Sequence, residues 1–137
     1  MAGVVPNEAE TLIATILFKR TYSVDRDATL KVGLFTNSSG LSETSALANI
    51  TVPTGTGYAA QTLTDASWSI SGDTASYAKL TFTGGAGGWT GAVYGYYVYT
   101  VAAGGTPRLL FYEIDSAGPY TIAENDTYDV TLNITVA

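Results

Sequence analysis

The final regular stretch, residues 128–136, constrains the fold more than any other. Tyr128, Val130, Leu132, Ile134 and Val136 alternate without a break with Asp129, Thr131, Asn133 and Thr135. Successive strand side chains point to opposite faces, so this two-residue period describes a strand with one face on a core and one in water. The rest of the chain divides into further short segments at the spacing expected of a sandwich.

Residues 30–36 bring Leu30, Val32 and Leu34 to one face and stop at Asn37-Ser-Ser-Gly40. Residues 47–52 read as a weaker strand, closed by Pro53-Thr-Gly-Thr-Gly57, and a segment around Trp68 and Ile70 ends at Ser71-Gly-Asp73. Residues 74–83 place Ala78, Leu80 and Phe82 together ahead of the glycine cluster 84–88, which reads as a flexible connection. Residues 91–101 and 107–115 are rich in aromatic and β-branched side chains, and the short Gly-containing link between them predicts a hairpin.

One helix is expected. Leu12, Ile13, Ile16 and Leu17 recur at helical spacing behind Pro6, with Asn7 as cap and Glu10 three residues on as its capping-box partner. The β-branched Thr11, Ile13, Thr15 and Ile16 keep a strand over residues 11–18 open as the alternative. The expected fold is therefore all-β: a single antiparallel β-sandwich domain over residues 1–137, jelly-roll-like, with about eight strands and one short N-terminal helix.

Charge and chemistry narrow the function. Twelve acidic residues against six basic ones give a net charge of -6, which argues against a nucleic-acid partner, since phosphate binding draws on clustered Lys and Arg. The one basic run, Lys19, Arg20, Arg26 and Lys31, is interrupted by Asp25 and Asp27. Cysteine and histidine are both absent, which removes thiol chemistry, the usual general base and the usual zinc ligands. No cofactor or metal is expected. The opening residues lack a signal-peptide pattern, and no window approaches the roughly 20 apolar residues of a membrane span, so a cytosol-like setting without membrane contact is expected.

Three local clusters invite chemical readings. Glu113 and Asp115 lie two apart on one strand face, a spacing that mimics a glycosidase carboxylate pair; an exposed strand end or a salt link to Arg108 is the plainer reading. Asp25-Arg-Asp27 and Glu124-Asn-Asp126 read as turns rather than cation loops. Four Asn-X-Ser/Thr sequences, at Asn37, Asn49, Asn125 and Asn133, reflect a Thr- and Asn-rich strand composition.

A partner surface is a stronger expectation. Only 13% of residues are charged, about half the usual share, so Thr, Ser, Gly and Tyr must cover much of the exterior. Residues 93–99 are bulky on both faces, and Leu109 and Phe111 oppose Leu110, Tyr112 and Ile114. One face can line the core, while the second needs the helix, a loop or another subunit to cover it. Tyr94, Tyr96, Tyr97, Tyr99, Leu109, Phe111 and Trp89 are the expected interface residues, and a homo-oligomer, a trimer, is the expected state. In a tail-borne carbohydrate- or receptor-binding module, the alternative, Trp89 and the tyrosines would stack on sugar rings.

The order of short motifs carries a resemblance across most of the chain. Pro6-Asn-Glu-Ala-Glu10, Leu30-Lys-Val-Gly-Leu-Phe-Thr-Asn37, Thr56-Gly-Tyr-Ala59 ahead of Trp68, Val93-Tyr-Gly-Tyr-Tyr97, Leu109-Leu-Phe-Tyr-Glu113 and a closing strand after Glu124-Asn-Asp126 resemble small tailed-phage virion structural proteins. The resemblance implies a jelly-roll capsid decoration (cement) protein that bridges neighbouring subunits of the major capsid protein, commonly as a trimer, located in the virion after assembly in host cytoplasm.

Overall fold

The computed structural model describes residues 3–14, 29–101 and 106–135. Among these residues one α-helix, α1 (Asn7–Ala14), precedes nine strands: β1 (Thr29–Phe35), β2 (Thr54–Gly55), β3 (Gln61–Leu63), β4 (Trp68–Ser71), β5 (Thr74–Thr83), β6 (Trp89–Thr90), β7 (Gly95–Val101), β8 (Leu109–Ile114) and β9 (Thr127–Thr135). They form a four-stranded sheet ordered β3-β1-β7-β8, a three-stranded sheet ordered β4-β5-β9 and a small β2-β6 ribbon. Every pairing is antiparallel. The fold is an all-β sandwich.

β9 behaves as its alternation dictates. Tyr128, Val130 and Leu132 are buried, Ile134 is half-buried, and Asp129, Thr131, Asn133 and Thr135 are exposed; Val136 lies outside the described residues. The inward row packs with Phe82 of β5 against Val32, Leu34, Leu63, Tyr96, Val98 and Phe111 of the larger sheet, forming the main core.

β5 departs from the expected face. Its pairing with β9 shifts register between Tyr77 and Leu80, so Ala78 and Lys79 both lie exposed, while Tyr77 and Leu80 both pack on the core. A bulge places two residues opposite one, which moves Ala78 out of the row it would share with Leu80 and Phe82.

β7 is buried on both faces. Tyr96 and Val98 enter the main core, while Tyr97 joins Phe35, Leu109 and Tyr112 in a second cluster on the opposite side of the sheet. Val4, Leu41, Leu47, Ile50, Tyr94, Tyr99 and Ile114 pack against that cluster. Its cover thus comes from this chain. Val4 exchanges two backbone hydrogen bonds with Tyr112, at 2.7 and 3.0 Å, adding a bridge to the outer edge of β8. Gly33, opposite Tyr97 in the β1–β7 pair, leaves room for the phenol: a Cβ there would stand 2.8 Å from the Tyr97 ring.

Several other expectations change. The helix forms, but Ala9 and Glu10 donate to the Pro6 carbonyl at 2.9 and 3.2 Å, so Asn7 is already inside the first turn and Pro6 occupies the capping position. Residues 11–14 are helical rather than extended; Ile16, Leu17 and the remainder of the alternative strand lie outside the described residues. Residues 47–52 are not a strand. Leu47–Asn49 is a 3-10 turn, favoured because the Asn49 side chain accepts from Ala46 N–H at 2.8 Å. The Asn37 amide donates to Asn49 O at 2.8 Å, and its oxygen accepts from Thr51 N–H at 2.7 Å. Asn side chains that satisfy backbone groups in this way compete directly with a strand ladder.

The ends of the sheets are also closed by side chains. β3 pairs with β1 only from Leu30 to Val32, leaving Leu34 next in line without a strand partner on that side. The Tyr58 hydroxyl accepts from Leu34 N–H at 3.0 Å and donates to Leu34 O at 3.1 Å. Both orphaned groups are met by one phenol.

Packing predicts where truncation will hurt. Leu132 is fully buried and Ile70 is 70% exposed, so Leu132→Ala should cost about 3 kcal/mol through lost burial and a residual cavity, whereas Ile70→Ser should change stability by no more than about 0.5 kcal/mol. Urea unfolding of the two variants measures both; equal costs would contradict the placement of β4 and β9.

Candidate functional site

The side of the sandwich where β8 meets β9 holds the half-buried acids singled out above. From Leu109 onward the strand carries a bulge: Val98 pairs with Phe111 and Tyr99 with Leu109, leaving Leu110 without a partner. Leu109 therefore packs in the outer cluster and Phe111 in the main core, although a regular strand would place both on one face. Past the bulge, Glu113 and Asp115 follow Phe111 at two-residue intervals and face the seam between the sheets.

Each acid accepts a hydrogen bond from a phenol. Tyr96 Oη, from β7, donates to Glu113 Oε2 at 2.8 Å and lies 3.4 Å from Thr131 O on β9. Tyr128 Oη, from β9, donates to Asp115 Oδ2 at 2.9 Å. The second oxygen of Asp115 accepts from Ala117 N–H at 3.0 Å, closing the turn after β8. Tyr120 packs on Tyr128 with ring centroids 5.5 Å apart. Phenol-to-carboxylate bonds are charge-assisted and stronger than neutral ones. Burial is the largest reason that the Tyr96 hydroxyl is held well above its ordinary pKa, followed by the hydrogen bond and charge of Glu113 and the charge of Asp115. Burial likewise leads for Tyr128, followed by its bond to Asp115.

This geometry uses both carboxylates as acceptors that tie β8 to β7 and β9. Arg108 does not pair with them; it approaches Glu8 of α1 at 3.8 Å, and the other oxygen of Glu8 accepts from Leu109 N–H at 3.3 Å. The helix is thereby fixed at the bulged start of β8.

The expected interface residues lie inside the chain. Trp89, Tyr96, Tyr97, Leu109 and Phe111 are each no more than 8% exposed, while Tyr94 and Tyr99 are half-buried. They do not form one face: Trp89, Tyr96 and Phe111 belong to the main core, and Tyr94, Tyr97, Tyr99 and Leu109 to the outer cluster. Trp89 is locked by a bond from its indole N–H to Thr56 O at 3.2 Å and by an edge contact with Tyr58, so its ring is not presented for stacking on a sugar.

The glycine cluster is tied down rather than loose. Gly84 N–H donates to Asp126 O, Gly85 N–H to Thr56 O, and Trp89 N–H to Ile122 O, each at 2.9 Å. At Gly88, with φ +71°, a Cβ would come within 2.7 Å of Ile122 O. Glu124-Asn-Asp126 is the turn facing it: Asp126 Oδ2 accepts from Ala123 N–H at 3.1 Å, and Glu124 Oε2 accepts from Gly87 N–H at 3.4 Å. Asp25, Asp27, Lys19, Arg20 and Arg26 lie outside the described residues. Among the described residues, no three acidic side chains gather as a metal site would need.

One surface feature went unread in the sequence: the outer face of the three-stranded sheet is a hydroxyl- and amide-lined plane. Thr81 and Lys79 both donate to Asp129, at 2.6 and 3.1 Å, and these bonds hold that carboxyl below the usual range. Thr74 and Thr135 bond across the strands at 2.9 Å. The alternation of β9 gave one row of this plane, but the bulge hid the matching row in β5.

Compared with protein-family models, curated proteins and solved structures, the chain matches none.

The buried phenols set an alkaline limit on stability. Tyr58, Tyr96, Tyr97, Tyr99, Tyr112 and Tyr128 all have raised pKa values, burial being the largest cause in each. An unfolded tyrosine ionises near pH 10, so the neutral folded form is favoured below that pH, and stability falls as pH rises above it. At about pH 11 the phenolate absorbance should fall short of that of ten tyrosines and reach it only on unfolding; ten groups ionising together with the strand circular dichroism intact would contradict this. Separately, Tyr96→Phe and Tyr128→Phe should each cost about 1–2 kcal/mol in urea unfolding, since each leaves one oxygen of a half-buried carboxylate without its phenol donor.

Proposed function

We propose that the chain is a non-enzymatic structural protein of a tailed-phage particle: a jelly-roll-type capsid decoration protein that bridges neighbouring major capsid subunits and acts as a trimer. The observation that carries this reading is the use made of the seam. Glu113 and Asp115, the pair that invited a hydrolytic reading, accept hydrogen bonds from Tyr96 of the neighbouring strand and from Tyr128 of the other sheet, so both are used as structural acceptors and the second bond joins the two sheets. The motif order described in the sequence supports the particle assignment.

The contact surface in this reading is not the tyrosine-rich strands, whose two faces are filled by the chain's own residues. Support falls instead on exposed side chains of the three-stranded sheet, Thr81, Thr83, Thr127, Thr131, Asn133 and Thr135. Hydroxyl and amide groups on a rigid plane lose less on desolvation than charges do and can re-form their bonds across an interface. A standard interface buries about 1,600 Å² in total, and repetition around a symmetric shell multiplies the effect of each contact.

Particles from the source culture test the reading. Stripping this chain from purified heads should lower their resistance to heat and osmotic shock, and adding back the purified protein should restore it. Unchanged resistance, or particles that never carried the chain, overturns the proposal.

A further inference from the structure

The edges of the two sheets are guarded unequally. In the larger sheet, β3 is three residues long and Val4 bridges the outside of β8. In the smaller sheet, β4 is four residues long. β9 runs for nine residues with an unbroken in-and-out pattern, pairs on one side with β5, and has no proline or bulge of its own; among the described residues no strand lies on its other side. Long, regular, unguarded edges are templates for another strand, and proteins ordinarily blunt them with charge, proline, bulges or covering segments.

The geometry points to a second copy of this chain as the occupant, its β9 paired antiparallel with the first about a twofold axis, joining two three-stranded sheets into one. Charge is the argument for a copy. Asp129 is the one side chain of the strand that is charged at neutral pH, and Lys79 already lies 3.1 Å from it. In a self-paired strand that keeps inward rows together, Asp129 faces Thr131 of the other copy for an axis at Val130. It faces Asn133 for an axis at Thr131, and Thr135 for an axis at Leu132. Each central register therefore sets the carboxylate of Asp129 against a hydroxyl or amide, and the axis at Thr131 also pairs Tyr128 with Ile134 and Val130 with Leu132, so within the strand no like charges meet. Two molecules of charge -6 still repel at a distance, so pairing should tighten as salt rises and the Debye length falls from about 30 Å at 0.01 M to about 8 Å at 0.15 M.

Sedimentation equilibrium on the full chain tests this from micromolar to about 1 mM, where mass action favours any weak dimer. The expected result is a concentration-dependent species of twice 14.3 kDa, favoured by salt, with β9 amides exchanging more slowly in concentrated than in dilute solution. Thr131→Glu/Asn133→Glu, at two exposed positions, sets carboxylates against carboxylates in each of these registers and should weaken it at least tenfold, while leaving the circular dichroism and melting profile of the monomer unchanged. A single-chain mass at every concentration overturns the inference, as does a paired variant that dimerises like the parent. Protection of β9 that is independent of concentration also overturns it, since something else then covers the edge. The inference is independent of the proposed trimer: a three-chain species indifferent to both substitutions removes the β9 pairing and leaves the trimer standing.

Discussion

The structure is organised around the double-sided burial of β7. A strand with Tyr96 and Val98 on one face and Tyr97 and Tyr99 on the other cannot lie on a surface, because either face left open would expose several large rings to water. The smaller sheet takes one side. The other is closed by pieces from distant parts of the chain: Val4 ahead of α1, and the segment bearing Leu41, Leu47 and Ile50. The backbone bonds of Val4 to Tyr112 and of Asn7 to Glu43 bring these two pieces to the same face, so the N-terminus and the β1–β2 connection form a third, irregular layer over half of the larger sheet.

Polar groups follow from this arrangement. Phenols too large to be hidden completely turn their hydroxyls toward whatever acceptor a neighbouring strand or layer offers. Tyr96 and Tyr128 find carboxylates, and Tyr58 finds backbone. Glu113 of β8 and Asp115 just beyond it are retained at half-buried positions because each has a donor; a carboxylate without one would carry a desolvation cost with no return. The same side chains thus supply area to the core and stitching at its margin, which explains how so few charged residues can hold two sheets in a fixed relation.

The legible part of the fold was the part with simple period. β9 reads directly, β1 nearly so, and the pairing of β7 with β8 follows from the short link between them. Both bulges were invisible: an inserted residue at Ala78–Lys79 or Leu110 looks in sequence like a strand with two apolar or mixed faces. The misread strand at residues 47–52 has another cause, because the Asn37 and Asn49 side chains supply local bonds that propensity does not count. The burial of the candidate interface residues was hidden for a third reason. Two-sided bulk correctly required a cover, but nothing local in residues 93–99 says that Val4, some ninety positions earlier in the sequence, supplies part of it. Glu113 and Asp115 were found by spacing, whereas their phenol partners come from other strands and needed the folded arrangement.

The bulge in β5 separates chain length from core register. Tyr77 and Leu80 would occupy adjacent inward positions if only one residue stood between them; the second, exposed residue adds a lysine without displacing either. Gain or loss of one amino acid at that point alters the surface charge beside Asp129 and leaves the inward row in step. This sheet can therefore drift in length over evolution at a site where an ordinary strand would turn its whole core face outward.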